Sequence, residues 1–184
     1  MMKKAVFFWM FLFFCAGVCF AQATVETATF ANGKLKFEKS YKNGVLDGTT
    51  KWYYKTGKLQ MVENYRNGVL NGDCKVYYKN GQLKAKTFYQ NGEINGEGRS
   101  YYEDGTLMEI VNYKNGKQEG ICKAYDEKGT LRIEVFFKAG LPDGEAKRYH
   151  PNGKIQFLDM YKDQKRVSRK TYDETGKLVS DEKF

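Results

Sequence analysis

Five basic residues recur along the chain at intervals of 24 residues, and each stands two residues before a tyrosine. Stacked repeats would align them as adjacent columns of positive charge and aromatic rings. Such columns could bind an acidic protein, a glycan or an anionic lipid headgroup. The alternative interpretation is structural, with tyrosines packing on the sheet and lysines keeping it soluble. The candidate residues are Lys51, Tyr53, Lys75, Tyr77, Arg99, Tyr101, Lys123, Tyr125, Lys147 and Tyr149.

Catalytic chemistry has little support in this sequence. General acid–base or nucleophilic catalysis requires a few unlike groups at one place, whereas this chain repeats like groups along its length. The single histidine, His150, occupies the position that Tyr54, Tyr78 and Tyr102 hold in other repeats, which favours a variant hairpin-end aromatic over a base or ligand. No metal-ligand spacing or phosphate-binding loop is present. We predict a protein that is not an enzyme, with no catalytic residues, metal or cofactor.

The elements that would position the columns follow from a 24-residue repeat that covers nearly everything from Phe30 to the C-terminus. Glycines recur at this interval, and each is followed two residues later by Leu or Ile. A period so regular predicts a repeat architecture. The glycines predicted to form structural turns are Gly57, Gly81, Gly105, Gly129 and Gly153, with Gly33 as an earlier copy.

Each repeat is predicted to form a β-hairpin. In one repeat, Asn80-Gly81 lies between alternating runs rich in Tyr, Val, Thr and Phe, and Asn-Gly supplies the two positive φ angles of a type I′ turn. The face of the pleat with Cys74 is termed the core face, and the opposite face, with the columns, the Lys/Tyr face. On the core face, a tyrosine ring would cover the bare backbone of the glycine opposite it. The predicted pairs are Tyr78 and Leu83, Val76 and Ala85, Cys74 and Thr87, and Gly72 and Tyr89.

Stacked in order, these hairpins predict an all-β fold: an elongated antiparallel meander of about a dozen strands, preceded by an N-terminal signal helix. We divide the chain into a signal peptide, residues 1–21, and a repeat domain, residues 22–184. Thr24 to Thr29 would form an edge strand or remain loose, and Gln164 and Ser168 replace glycines near the other end. The repeats lie at about 30–52, 53–76, 77–100, 101–124, 125–148 and 149–171, with a C-terminal cap at 172–184.

The first 21 residues have the pattern of a secretory signal peptide. Lys3 and Lys4 precede an apolar run, and Ala21-Gln22-Ala23 offers a cleavage site. The run is shorter than the ~20 residues that a spanning helix needs. We therefore predict an exported protein that is periplasmic, envelope-associated or secreted, with an uncleaved N-terminal anchor as the main alternative.

Cysteine usage and charge place further bounds on the mature chain. Cleavage would leave Cys74 and Cys122, two repeats apart, about 19 Å from each other at ~4.8 Å per strand, beyond the ~7 Å limit for a disulfide. We expect two free, part-buried thiols, with an intermolecular disulfide as the alternative.

The formal net charge of +9 would favour anionic partners or serve solubility. Export argues against nucleic acid as the partner.

The repeat resembles the bacterial variant of the MORN repeat, as found in the YwqK-like antitoxin family, in its Tyr, Asn-Gly, Leu, aromatic and Gly-x-x-x-Gly pattern. This resemblance covers about five copies and implies a non-enzymatic β-hairpin array for binding or scaffolding. Our main hypothesis is an exported repeat protein that binds or scaffolds another macromolecule, a protein or an envelope component, through an extended β face. The alternatives are an antitoxin that neutralises a partner toxin, and a basic protein associated with an envelope or anionic-lipid surface.

Overall fold

The computed structural model describes residues 22–184, and every regular element in that range is a β-strand. The predicted signal helix lies outside the described residues. The strands are β1 (Ala23–Thr29), β2 (Leu35–Lys42), β3 (Val45–Tyr53), β4 (Leu59–Arg66), β5 (Val69–Leu70), β6 (Gly72–Tyr77), β7 (Leu83–Gln90), β8 (Glu93–Ile94), β9 (Gly96–Tyr101), β10 (Leu107–Lys114), β11 (Lys117–Gln118), β12 (Gly120–Tyr125), β13 (Leu131–Lys138), β14 (Leu141–Tyr149), β15 (Ile155–Lys162), β16 (Lys165–Tyr172) and β17 (Leu178–Lys183).

Strands that follow one another along the chain pair antiparallel in one sheet. The short strands β5, β8 and β11 continue after one residue into β6, β9 and β12, so the sheet has fourteen strand positions. Among the described residues β1 pairs with β2 alone and β17 with β16 alone, which leaves both ends of the sheet open. The predicted all-β meander is confirmed, with fourteen positions instead of about a dozen.

The turn that ends in Gly81 differs from the prediction. The Gly81 amide donates to the Tyr78 carbonyl (2.9 Å), and the Tyr78 amide donates to the Gln82 carbonyl (2.8 Å). Three residues therefore form the loop, a type I turn followed by a left-handed glycine with φ 100°. The two-residue type I′ turn is wrong, and Tyr77 instead of Tyr78 pairs with Leu83. The other three predicted pairs are confirmed: Val76 and Ala85, Cys74 and Thr87, and Gly72 and Tyr89.

Type I′ turns occur instead where one hairpin passes to the next. Asn91 and Gly92 both have positive φ, 52° and 84°, and they connect the paired residues Gln90 and Glu93. The Gly92 amide also donates to the Leu70 carbonyl of the preceding repeat (2.8 Å). These turns thus join neighbouring repeats as well as reversing the chain. The equivalent pairs with positive φ are Asn43-Gly44, Asn67-Gly68, Asn115-Gly116, Ala139-Gly140 and Asp163-Gln164.

The backbone conformation at Gly72, opposite Tyr89, requires a glycine there, and the aromatic ring is not the reason for it. Gly72 has φ 119°, and a Cβ there would lie 3.1 Å from the Cβ of Asn64 on the preceding strand. Our explanation of a ring covering a bare strand glycine is therefore wrong at this position. It describes Gly98 better, where an added Cβ would lie 3.4 Å from the Tyr113 ring.

The buried residues of the strands lie on the core face throughout the described range. They include Thr50, which is 2% exposed, together with Val111 and Cys122. Cys74 and Cys122 are free thiols, as predicted. Burial raises the pKa of both thiols, because a low-dielectric surrounding disfavours the thiolate.

Both termini of the described range are part of the sheet. Residues Ala23–Thr29 form the edge strand β1, so this segment is an edge strand and does not remain loose. The predicted cap forms a further hairpin, in which the Gly176 amide donates to the Asp173 carbonyl (2.9 Å) as in the other repeats.

Candidate binding face

The predicted basic residues lie on one straight row across the Lys/Tyr face. Each pairs with the residue beside it on the neighbouring strand, so the row crosses the sheet without a break from β2 to β17. Stacking of the repeats thus brings together residues that are 24 apart in sequence. In order, the row consists of Glu38, Lys51, Val62, Lys75, Lys86, Arg99, Ile110, Lys123, Glu134, Lys147, Leu158, Lys170 and Asp181.

Carboxylates on the same face pair with most of this positive charge. Lys51 lies 3.2 Å from Glu38, and Glu134 lies 3.3 Å from Lys123 and 3.7 Å from Lys147. Exposed pairs of this kind contribute ~1 kcal/mol or less each to stability. Their main effect is to reduce the free positive charge that a partner would meet. Two further pairs on this face are Arg99 with Glu97 and Lys86 with Asp73.

The first tyrosine of the column belongs to the same network. The Tyr53 hydroxyl donates to Glu38 Oε2 (2.9 Å), and the same oxygen accepts a hydrogen bond from Lys51 Nζ. These hydrogen bonds, first from Tyr53 and then from Lys51, lower the pKa of the Glu38 carboxyl. Burial, followed by the hydrogen bond to Glu38, raises the pKa of Tyr53. Lys51 and Tyr53 therefore already have partners within the sheet.

Large apolar side chains are exposed on the Lys/Tyr face, beside the basic row. Ile121 is 46% exposed and pairs with Phe136, which is 41% exposed, while Met160, 37% exposed, pairs with Glu145. We call these three residues the apolar patch. An open cavity of about 280 Å³ adjoins it, lined by Ile121, Phe136 and the carboxylates Glu134 and Glu145. Phe88 is a further exposed aromatic on this face, 41% exposed.

Sequence reasoning missed the apolar patch, although a signal was present. Phe136 and Met160 each directly precede an aromatic of the core face, Phe137 and Tyr161. Because side chains alternate between the faces of a strand, the residue before a core-face aromatic must lie on the Lys/Tyr face. Two apolar residues at this position indicated an apolar surface there.

The predicted turn glycines lie at one edge of the repeats, in three-residue turns. The members are Gly57, Gly81, Gly105, Gly129 and Gly153, each of which donates its amide to the carbonyl three residues earlier. Next to them, aromatic side chains bond each repeat to the following one. The hydroxyl of Tyr78 donates to the Tyr101 carbonyl (2.6 Å), and those of Tyr54 and Tyr102 to the Tyr77 and Tyr125 carbonyls (2.6 and 2.8 Å).

His150 makes the same contact as these tyrosines. Its Nε2 lies 2.9 Å from the Tyr172 carbonyl oxygen, so this nitrogen carries the proton and donates it. The side chain is 9% exposed. The structure therefore places His150 as a link between repeats, in agreement with its interpretation as a variant hairpin-end residue.

Residues 22–184 contain no group of three His, Cys, Asp or Glu side chains placed as metal ligands would be. The same range has no helix of the length and hydropathy that crossing a bilayer requires.

Stacked hairpins with a 24-residue period define the chain as a β-hairpin repeat protein. The model of the MORN repeat variant matches it six times, at residues 30–43, 46–67, 70–91, 94–115, 118–139 and 142–163. These matches cover more than half of the sequence, and the chain therefore belongs to the MORN repeat variant family. No curated protein matches it.

Proposed function

We propose that this protein is a non-enzymatic repeat protein that binds another protein through the Lys/Tyr face of its sheet. The observation that carries this proposal is the apolar patch, in which Ile121, Phe136 and Met160 are each more than one-third exposed. Exposed apolar surface surrounded by polar residues is typical of protein interaction sites. All strands of residues 22–184 belong to one sheet, so no second layer from that range covers this face and the patch is open to a partner.

The ion pairs favour a protein partner over an anionic surface. A lipid surface or polyanion would bind best to unpaired positive charge, and its binding would weaken steeply with salt. Beside the apolar patch, Lys123 and Lys147 each have a carboxylate within 4 Å. Paired charges around an apolar centre are the arrangement of a protein interface, in which a polar rim surrounds a less polar core.

We propose further that the protein acts after export. Support comes from the lysines, apolar run and Ala-x-Ala sequence at the N-terminus. The partner would then be an envelope or secreted protein. A fusion of residues 1–23 to alkaline phosphatase tests this, because the enzyme is active only when exported. An inactive fusion would contradict export.

A toxin is the particular partner that the resemblance to the YwqK-like antitoxin family suggests. Under this proposal the Lys/Tyr face would mask the active surface of a toxin met outside the cytoplasm. Co-expression with a toxin recovered in complex should restore growth, and the restoration should be lost when the apolar patch is altered. A bound protein with no effect on growth would leave scaffolding as the function.

The test of binding is a pull-down from envelope and secreted fractions at low and moderate salt, using residues 22–184. All described strands pair within that range. We expect one stoichiometric protein that survives moderate salt and is lost in the double variant Ile121→Ser/Phe136→Ser. The matched control is Val45→Ser/Val69→Ser, which removes similarly exposed side chains at hairpin ends on β3 and β5, distant from the patch. Retention of lipid or polyanions alone, at low salt alone, would overturn the proposal.

A further inference from the structure

A second surface lies on the opposite, core face, near the C-terminal end of the sheet. A cavity of about 410 Å³ opens there across β13 to β16. Its apolar lining includes Ile133, Val135, Phe157 and Tyr161, and its charged lining includes Arg148, Asp159 and Arg169. The volume is in the range of small-ligand sites, which combine apolar walls with a few placed polar groups.

The charged residues of this cavity depart from the repeat. The positions equivalent to Asp159 in the three preceding repeats are Val135, Val111 and Thr87, and those equivalent to Arg148 are Ala124, Ser100 and Val76. Uncharged residues at these positions are therefore sufficient to build and stack a repeat. The charges found in the last repeats require a different explanation, either the termination of the array or the binding of a ligand.

Asp159 holds one of the guanidinium groups in a fixed orientation. The residue is 7% exposed, and its carboxylate accepts two hydrogen bonds from Arg169, at Nε and Nη2, both 2.7 Å long. The Arg169 guanidinium also stacks over the Phe157 ring, 4.6 Å from its centroid. Two contacts thus fix its plane, and Nη1 makes no hydrogen bond within residues 22–184.

The second guanidinium is unpaired. Arg148 is exposed at the rim, and among the described residues no carboxylate lies within ion-pair distance of it. The negative charge of the buried Asp159 is already balanced by Arg169, and Arg166 Nη1 lies 3.9 Å from the same carboxylate. The cavity therefore has an excess of positive charge, carried by planar groups that bind carboxylates through paired hydrogen bonds.

We infer that this cavity binds a carboxylate attached to an apolar body, with the carboxylate between Arg148 and Arg169 and the apolar part against Ile133, Val135 and Phe157. Two sources share this chemistry: the terminal or side-chain carboxylate of a protein, and a free small carboxylic acid. The inference does not depend on the protein partner proposed for the Lys/Tyr face, because the two surfaces lie on opposite sides of the sheet.

The test uses N-acetyl-phenylalanine and its uncharged amide as probes, titrated into residues 22–184 and followed by amide NMR signals. We expect the acid to shift the signals of residues 133, 146 and 148, and the amide to bind at least about tenfold more weakly, since a hydrogen-bonded charge pair is lost. Equal binding of acid and amide, or no shift at these residues, would overturn the inference.

Three variants test whether Arg148 contributes to binding of the acid. Arg148→Gln should weaken acid binding about tenfold or more, and Arg148→Lys should weaken it less, because lysine keeps the charge but not the planar pair of donors. Arg66→Gln is the charge-matched control, since Arg66 is exposed at the distant end of β4, and it should leave binding unchanged. An equal loss in Arg66→Gln would contradict a local site.

A second arm distinguishes the two sources of the carboxylate. A longer peptide that ends in the same phenylalanine should bind more tightly than the single amino acid if a protein supplies the carboxylate. Equal affinity would assign the cavity to a free small acid. If the pull-down captures no protein but the acid still binds, only the proposal for the Lys/Tyr face is contradicted. The two proposals can therefore fail separately.

Discussion

Replacing Tyr78 by phenylalanine removes one hydrogen bond between repeats and leaves the ring in place. The hydroxyl donates to the Tyr101 carbonyl at 2.6 Å, and the contact is part-buried. A neutral hydrogen bond contributes about 1 kcal/mol net to stability. For a domain of this size, that loss corresponds to a fall in Tm of about 2–4 °C. With an m value of about 2 kcal/mol/M, the urea midpoint should fall by ~0.5 M.

The assay is urea unfolding of residues 22–184 followed by circular dichroism, with Tyr125→Phe as the matched control. The Tyr125 hydroxyl makes no hydrogen bond to the described residues, so its removal should leave the midpoint nearly unchanged. Equivalent tyrosines lie about 10 Å apart, two strand spacings, so their effects should add. The triple variant at Tyr54, Tyr78 and Tyr102 should lose about 3 kcal/mol. Equal midpoints for Tyr78→Phe and Tyr125→Phe would refute the proposed link between repeats.

Three further predictions concern a turn, an ion-paired carboxyl and a thiol. Gly81→Ala should cost about 1–2 kcal/mol, because φ is 100° while no atom lies within 4 Å of the added Cβ; Lys79→Ala should cost little, and equal costs would contradict this explanation. The lowered pKa of Glu38 stabilises the fold above the pKa of an unfolded glutamate, and this contribution is lost as pH falls through the folded pKa. The difference in unfolding free energy between wild type and Glu38→Gln should therefore decrease as the pH falls. A difference that does not change with pH would contradict a stabilising role of the Glu38 carboxylate. Because burial raises the pKa of Cys122, thiol reagents at pH 8 should label it about tenfold or more slowly in the native chain than in urea, and equal rates would exclude a protected thiol.

The sequence predicted the meander because one period carries both turns and both strands of the repeat. It did not separate the two turns, since Asn-Gly occurs in both. A usable signal was the residue before each glycine. At the three-residue turns this is Thr56, Asp104 or Lys128 in other copies, whereas at the type I′ turns it is mostly asparagine. A β-branched residue such as Thr56 strongly disfavours the positive φ that a type I′ turn requires at that place.

The charge of the candidate face was less predictable than its position. The basic residues recur in five successive copies, but their carboxylate partners do not: Glu38 and Glu134 hold equivalent positions, and the copies between them have Val62, Lys86 and Ile110. Only the register of the strands reveals which carboxylate meets which lysine. The cavity on the core face was missed for a related reason. Arg148, Asp159 and Arg169 break the repeat singly, and their meeting depends on three different strands.

Site-specific photo-crosslinking in the source organism tests the central claim, binding of a protein through the Lys/Tyr face, most directly. A photoreactive amino acid is placed at Ile121 or Phe136 in the apolar patch. The control position is Leu178, which is 47% exposed and lies on the core face, two residues from Ser180. We predict one discrete crosslinked protein from the patch positions and none from the control. Equal crosslinking from all three positions, or crosslinks from the control alone, would contradict binding through this face.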